Sequence, residues 1–383
     1  MGQQLRVALV GGGLGGMTAA IALTRHGFET HVFEQAGELR EVGAGVGVGP
    51  NAVKVLRALG LESDLRSRGF EAGSIVGRNW TTGEVKFRVP MKGASETRYG
   101  AAHVQIHRAD LLDILSRAGS DVNIHLDSRC VAVASSDDAA TVTLSDGREE
   151  AFDLVVGCDG LRSPVRAALH GPDEPRFTGN MCWRALIRTE KLPTGLIPPD
   201  MTVWVGEGGH IVTYYVRGGE LVNLVAFLQV KDWVEESWSI AASRDELLAA
   251  YPGVHADLRT VLERAEDCFK WGLFDREPMD KWGNRRITLL GDAAHPMLPF
   301  LGQGAATAIE DGYVIARELS RASGDVPAAI AGYETLRIPR TARIQVAARK
   351  QERFVHHTNR SADLSSDWLY DYDATRLCRK TGY

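Results

Sequence analysis

Residues 5–10 (LRVALV) form a short, almost unbroken apolar run. Runs of this length and composition mark a strand buried on both faces of a parallel sheet. The run meets Gly11-Gly12-Gly13-Leu14-Gly15-Gly16, after which a helix is expected over residues 17–26, stopped by Gly27. A second strand follows over residues 29–33 and ends at Glu34. Residues 153–157 (DLVVG) and 286–290 (RITLL) repeat the buried-strand signal. Between them the pattern changes: residues 202–205, 211–216 and 221–228 alternate as antiparallel strands with one covered face do. Residues 74–80 and 84–90 look like a hairpin joining that second sheet. From residue 327 to about Thr358 the chain reads as helical, and the aromatic, acidic tract Trp368-Leu369-Tyr370-Asp371-Tyr372-Asp373 is expected to pack on the body as a strap.

Gly11, Gly13 and Gly16 fit G-x-G-x-x-G, and strand, glycines, helix, second strand and acid occur in the order a dinucleotide site requires. Gly11 allows the tight turn, Gly13 admits the pyrophosphate, and Gly16 lets helix and strand pack closely. The helix N-terminus offers amides and a positive dipole end to the phosphates. Glu34 can accept from both ribose hydroxyls and disfavours a 2′-phosphate, which makes NADP a poor candidate for this pocket. The motif alone does not separate FAD from NAD. Asp292, at the end of the strand over 286–290, does: it can accept from a ribityl hydroxyl in the crevice of a doubly wound sheet. The turn at Gly302 and Gly304 and the helix beginning at Ala305 would lie against the flavin, stabilising negative charge on its reduced ring. Pro299, Phe300 and Leu301 would form an apolar wall beside it.

At 383 residues the chain suits two interlocked domains, and a formal charge of -5 supplies no basic field for nucleic acid. No apolar run is long enough to span a bilayer, and the basic start of a signal peptide is absent; a cytoplasmic protein is expected. Five scattered cysteines, Cys130, Cys158, Cys182, Cys268 and Cys378, suggest neither a disulfide framework nor a metal site. Arg337, Arg340, Arg343 and Arg349 recur at a spacing that reads as the solvated face of a helix.

Three further tracts carry a resemblance. Asp159 to Arg166 matches D-G-x-x-S-x-V-R, Gly291 to Pro299 matches G-D-A-A-H-x-x-x-P, and Arg108 begins R-x-x-L. Together they resemble the FAD-dependent aromatic hydroxylases of the p-hydroxybenzoate hydroxylase fold, and within them the 6-hydroxynicotinate 3-monooxygenase and salicylate hydroxylase branches. The resemblance implies an α/β fold: a Rossmann-like FAD-binding domain with an inserted antiparallel β-sheet domain and C-terminal helices. The FAD domain would span 1–75, 100–175 and 280–345, the substrate domain 76–99 and 176–279, and the C-terminal helix and tail 346–383. It further implies that Arg108 lies beside the FAD linker, with Leu14, Gly15, Gln35, Val131 and Asp159 as additional cofactor contacts. His295 is expected to hydrogen-bond within its turn rather than to act in catalysis.

By the same resemblance NADH or NADPH would reduce FAD and leave, and dioxygen would form a flavin hydroperoxide that hydroxylates a small hydroxylated aromatic or pyridine carboxylic acid. A larger aromatic natural product is the alternative substrate, and an NAD-dependent dehydrogenase the remote alternative activity. The acting protein would be a monomer or homodimer. On the strand around residue 210, His210, Val212 and Tyr214 share a face by the two-residue period, so an imidazole and a phenol could bind and deprotonate a ring hydroxyl. An edge histidine and a packed tyrosine are the plainer reading of the same residues. The chain departs from the 6-hydroxynicotinate branch at Gly47 and Phe300, where that branch has histidines, and near Met201, where it has a cysteine. A more apolar pocket is implied. Arg78, Arg184 and Arg217 are candidates to grip a carboxylate.

Overall fold

The computed structural model describes residues 4–39, 44–231, 240–357 and 367–376, with side chains omitted for 353–357. Thr358 and Cys378 lie outside the described residues. Strand β1 (Arg6–Val10) is the centre of a five-stranded parallel sheet, paired with β2 (Glu29–Phe33) on one side and Leu154–Gly157 on the other. Ile287–Leu289 and Asn123–His125 form the edges. Val7, Ala8 and Leu9 have no exposed surface, which is why these runs do not alternate.

Helix α1 (Leu14–Arg25) begins earlier than the expected residue 17, so Gly15 and Gly16 lie inside its first turn. Glycine is a poor helix former, but contact decides here. A Cβ on Gly312 would sit 2.7 Å from the Ala19 nitrogen, so α1 and the helix Gly304–Arg321 meet backbone to backbone.

A second, eight-stranded sheet runs in the order Ile240–Ala242, Cys268–Asp275, Arg176–Arg188, Leu221–Gln229, Gly209–Val216, Met201–Gly206, Ser74–Asn79, Val85–Pro90. The hairpin at 74–90 therefore does join it, through a parallel pairing with Met201–Gly206. Alternation gives the sheet two apolar faces. Met181, Trp183, Ile211 and Leu224 pack on Leu247, Leu258 and Leu262 of two short helices. Cys182, Val225, Phe227 and Trp271 face the other way, toward Leu298, Phe300 and Leu301. A two-stranded ribbon of β3 (Gly45–Val48) and Val104–His107 reaches this second face.

The arginines of the helix Val326–His357 correct the expectation of a solvated face. Arg337 has no exposed surface; its Nε is 2.6 Å from Asp311 and its Nη1 2.7 Å from Glu310. Arg340 also pairs with Glu310, at 2.7 Å, Arg343 lies over the Trp368 ring, and Arg349 binds Asp275 and Glu277. Two adjacent carboxylates buried on the neighbouring helix demand countercharges, which Arg337 and Arg340 supply, whereas Arg343 remains exposed as expected.

The strap docks as expected. The short helix Asp367–Tyr370 is tied to Arg98 and Tyr99 through Asp367. Lys54, on helix α2 (Pro50–Ala58), donates to the carbonyls of Tyr370 and Asp371. Among the described residues no helix is long and apolar enough to cross a membrane, and no group of His, Cys, Asp or Glu is placed to hold a metal ion.

Candidate active site

The glycine turn is built by contacts that admit no side chain. Gly11 has φ +108°, and a Cβ there would stand 2.5 Å from the Cys158 carbonyl oxygen; one on Gly16 would stand 2.1 Å from the Gly11 oxygen. Gly13 is the extended residue before α1, and no side chain caps the helix, so its first amides are left to the crevice. Glu34 stands where expected, just past β2, but it is already engaged. Its Oε2 accepts from the Gly12 amide at 2.8 Å and its Oε1 from the Ala36 amide at 2.9 Å. Each oxygen keeps a second lone pair for a sugar hydroxyl. Gln35 is exposed beside it. The Ser128 amide donates to the Glu34 carbonyl, bringing the next segment alongside, and Val131 is 48% exposed there at an irregularity in its strand.

The opposite end of the crevice is formed by three loops. Asp292 is exposed in the tight turn Gly291–Ala293 that follows the strand Ile287–Leu289. Arg108, at the start of the helix Arg108–Ala118, faces it: burial lowers the guanidinium's pKa, the Asp292 charge opposes that, and nearby Arg184 adds to it. Asp159 accepts from the Val165 amide at 3.1 Å through one oxygen, while the other is buried without a partner. Burial raises this carboxyl to about 6, against hydrogen bonds from Ser163 and Val165. Gly302 and Gly304 have open space where a Cβ would be, Gly302 at φ +62°, and Leu14, Gly15 and Ala305 line the two helix starts. A glycine cradle, uncapped amides, an acid at each end and an orphaned carboxylate oxygen fit a molecule that is anionic in its middle and hydroxylated on both sides. FAD has that character.

Sequence reasoning missed what holds these loops. Arg166, the last residue of D-G-x-x-S-x-V-R, donates to the carbonyls of Ala293 and Ala294, so one motif grips another. His295 is buried and bonds Asp311 at 2.6 Å, and the same Asp311 oxygen accepts from the Gly291 amide. The partner of His295 thus lies on the next helix and not within its own turn. Asn51 donates to Glu310 at 2.6 Å and to Gln303 at 3.0 Å.

The inner face of the eight-stranded sheet lies across the crevice. His210, Val212 and Tyr214 do share that face, with His210 buried and stacked on Phe227 at 4.5 Å and tilted to Phe300 at 5.5 Å. Pro299, Phe300 and Leu301 form one turn against these residues. Tyr214 is buried, which pushes its phenol up to about 12. Gly45 fits beneath it: a Cβ there would be 2.7 Å from the Tyr214 ring, and its amide donates to Asn223 at 2.7 Å. Gly47, two residues on, faces His103, whose Nε2 lies 3.6 Å from where a Cβ would be. His103 thus brings an imidazole up to Gly47, and nothing in its sequence neighbourhood announced this. Its Nδ1 is 3.1 Å from Gln105, Tyr370 of the strap lies 5.8 Å away, and burial lowers it to about 4.

A Rossmann-type crevice with an acid at each end, facing an apolar sheet that carries an imidazole and a phenol, defines a flavoprotein of the two-sheet hydroxylase type. The chain belongs to the FAD binding domain family, which matches residues 4–347. It is 35% identical over 382 residues to the 3-amino-4-hydroxybenzoate 2-monooxygenase of Streptomyces platensis, covering 96% of both chains. It is 34% identical over 379 residues to the 6-hydroxynicotinate 3-monooxygenase of Pseudomonas fluorescens, covering 97% of this chain and 96% of the other. A structure of salicylate hydroxylase with substrate superposes with a TM-score of 0.84 at 25% identity, covering 97% and 96%. The protein is a flavin-dependent monooxygenase, and the dehydrogenase alternative falls away.

Proposed function

We propose that this enzyme consumes NADH or NADPH and dioxygen to hydroxylate a small aromatic or pyridine carboxylic acid that already carries a ring hydroxyl. Relatives named for hydroxybenzoate and hydroxynicotinate substrates support this class. The observation that carries the reading is the placement of His210 and Tyr214 on one apolar sheet face that meets the Pro299–Leu301 turn, between the Asp292 and Gly302 loops.

Gly11, Gly13 and Gly16, the α1 amides and Glu34 would hold the adenosine and pyrophosphate. Arg108, Asp159, Asp292 and the Gly302–Gly304 turn would hold the ribityl chain and ring. Bound FAD supplies the activation of dioxygen and the transfer of one oxygen atom to the ring. The protein's own work is placement and proton handling. Phe227, Phe300, Leu301 and Val212 exclude water from the reacting face. An imidazole nitrogen of His210 takes the proton of the ring hydroxyl, which raises electron density at the ring carbon to be attacked. Tyr214 stays protonated throughout the working pH range and donates its O–H to the resulting phenolate oxygen. A reducing, nicotinamide-rich cytoplasm suits this chemistry, with the enzyme acting as a monomer or homodimer and without nucleic acid.

The test is a screen of NADH and NADPH oxidation with hydroxybenzoates and hydroxynicotinates, recording oxygen uptake and product mass. A product heavier by one oxygen atom is expected for at least one ring acid. Flavin-loaded protein that hydroxylates only larger phenols, or oxidises nicotinamide with no oxygenated product, overturns the reading.

A further inference from the structure

We propose that Arg184 receives the anionic group of the substrate, so that the enzyme selects ring acids over neutral phenols by a charge on its sheet. This rests on the hydroxylase reading above and names the residue that sets its substrate class.

Strand register places Arg184 on the inner face. It pairs with Val225, which pairs with Val212, while in the next row Cys182 pairs with Phe227 and Phe227 with His210. Arg184 therefore stands two strands, or about 10 Å, from the strand of His210 and Tyr214, with its side chain on the same side. Apolar Val225 and Val212 floor the space between them. One benzene or pyridine ring with substituents at its two ends spans such a floor.

Among the described residues Arg184 has the neutral Cys182 thiol beside it and no countercharge. Its Nε is buried without a hydrogen-bond partner, and among the described residues no carboxylate pairs with it. Its guanidinium lies 4.2 Å from the Trp271 ring centroid, an arrangement that fixes the plane without neutralising the charge. The neighbouring Cys182 thiol accepts no charge either, since burial pushes it up to about 12. The Arg184 charge helps to lower both the Tyr214 phenol and the Arg108 guanidinium, so its head on this face lies within electrostatic reach of both. A half-buried guanidinium of this kind is costly unless an anion completes it, and a planar carboxylate can do so through two parallel bonds.

The two other candidate arginines are spent elsewhere. Arg78 lies over Trp204, 4.9 Å from its centroid on the sheet's outer side, near Asp257. Arg217 makes two 2.9 Å bonds to Asp110. A carboxylate on Arg184 would orient the ring with its hydroxyl toward His210 and Tyr214, so the same contact selects the substrate and sets which ring carbon is presented.

The test uses flavin-loaded enzyme and matched probes: 3-hydroxybenzoate, 4-hydroxybenzoate and 6-hydroxynicotinate, against phenol and 2-hydroxypyridine. Binding is read from the change in flavin absorbance on titration. Wild type is expected to bind an acid roughly ten- to a hundred-fold tighter than its neutral counterpart. Arg184→Met is expected to collapse that ratio toward one by weakening the acid alone, with Arg184→Lys between the two. FAD content, read from absorbance per protein, reports whether each variant is folded and loaded. A loaded wild type that binds neutral probes as tightly as acids, or binds none of the acids, overturns the proposal. So does a loaded Arg184→Met that keeps the preference. Failure of the hydroxylase reading looks different: wild type then takes up no FAD, or binds the acids with the predicted preference and oxygenates none of them.

Discussion

Arg337→Met tests the claim that buried charge organises the flavin side of the crevice. The guanidinium has no exposed surface, pairs with Asp311 and Glu310, and donates to the Tyr372 hydroxyl at 2.9 Å and the Thr307 carbonyl at 3.3 Å. The two carboxylates lose unequally. Glu310 keeps Arg340 at 2.7 Å and Asn51 at 2.6 Å, whereas Asp311 keeps His295 and the Gly291 amide. Asp311 is held down to about 2 despite burial, by His295 first and Arg337 next. Without Arg337 it is a buried carboxylate short of its permanent cation, a loss of about 3–5 kcal/mol. Against a total of about 5–15 kcal/mol that is a large share. Equilibrium urea unfolding of the FAD-loaded protein, followed by tryptophan fluorescence, measures it. Adding Asp311→Asn to Arg337→Met removes the stranded charge and should restore much of the loss. FAD affinity should fall in the single variant, because Asp311 holds the amide beside Asp292. A single-variant loss below about 1 kcal/mol, or a double variant no more stable than the single, refutes the reasoning.

Three other outcomes follow from the site. His210→Asn should lower kcat roughly a hundred- to ten-thousand-fold, with the activity partly restored at high pH where the substrate ionises unaided; an unchanged kcat would return His210 to the role of an edge residue. Gly11→Ala puts a Cβ 2.5 Å from a backbone oxygen at a positive φ, and purified protein should lack the yellow of bound flavin. His103 is lowered to about 4 by burial from an ordinary 6.5, so between those values the folded state binds fewer protons than the unfolded chain. Its contribution of about 3 kcal/mol is then fully present above pH 6.5, is lost as pH falls toward 4, and changes no further below. Comparing urea unfolding at pH 7.5 and 4.5, His103→Gln should show a smaller difference than wild type, and an equal one would show the imidazole to be solvated.

The glycine turn, the acid after β2 and the acid at Asp292 were legible because each is tied to a local sequence signal: a buried run, a sharp turn, a helix start. The inner-face alternation of His210, Val212 and Tyr214 was legible for the same reason, since period two needs only neighbours along one strand. What could not be read depends on partners far along the chain. Arg337 and Arg340 look like surface charges until Glu310 and Asp311 are known to be buried against them. His103 becomes part of the site only because Val104–His107 pairs with β3, some 60 positions away. For a carboxylate the sequence allowed three arginines; the register of the large sheet puts Arg184 on the face of His210, whereas Arg78 lies over Trp204 on the other face and Arg217 pairs with Asp110. The early start of α1 was missed because glycine's poor propensity was outweighed by a helix three hundred residues downstream.

The position of β1 has a consequence for how the polypeptide is made. The strand precedes every partner it takes in the chain, yet it occupies the middle of its sheet. One side is satisfied by β2 within a few dozen residues, while the other waits for Leu154–Gly157, and the layer is complete only after Ile287–Leu289 has emerged. At about 5–20 residues per second the newborn chain carries an open, apolar strand margin for many seconds, a natural target for chaperones and a hazard in crowded expression.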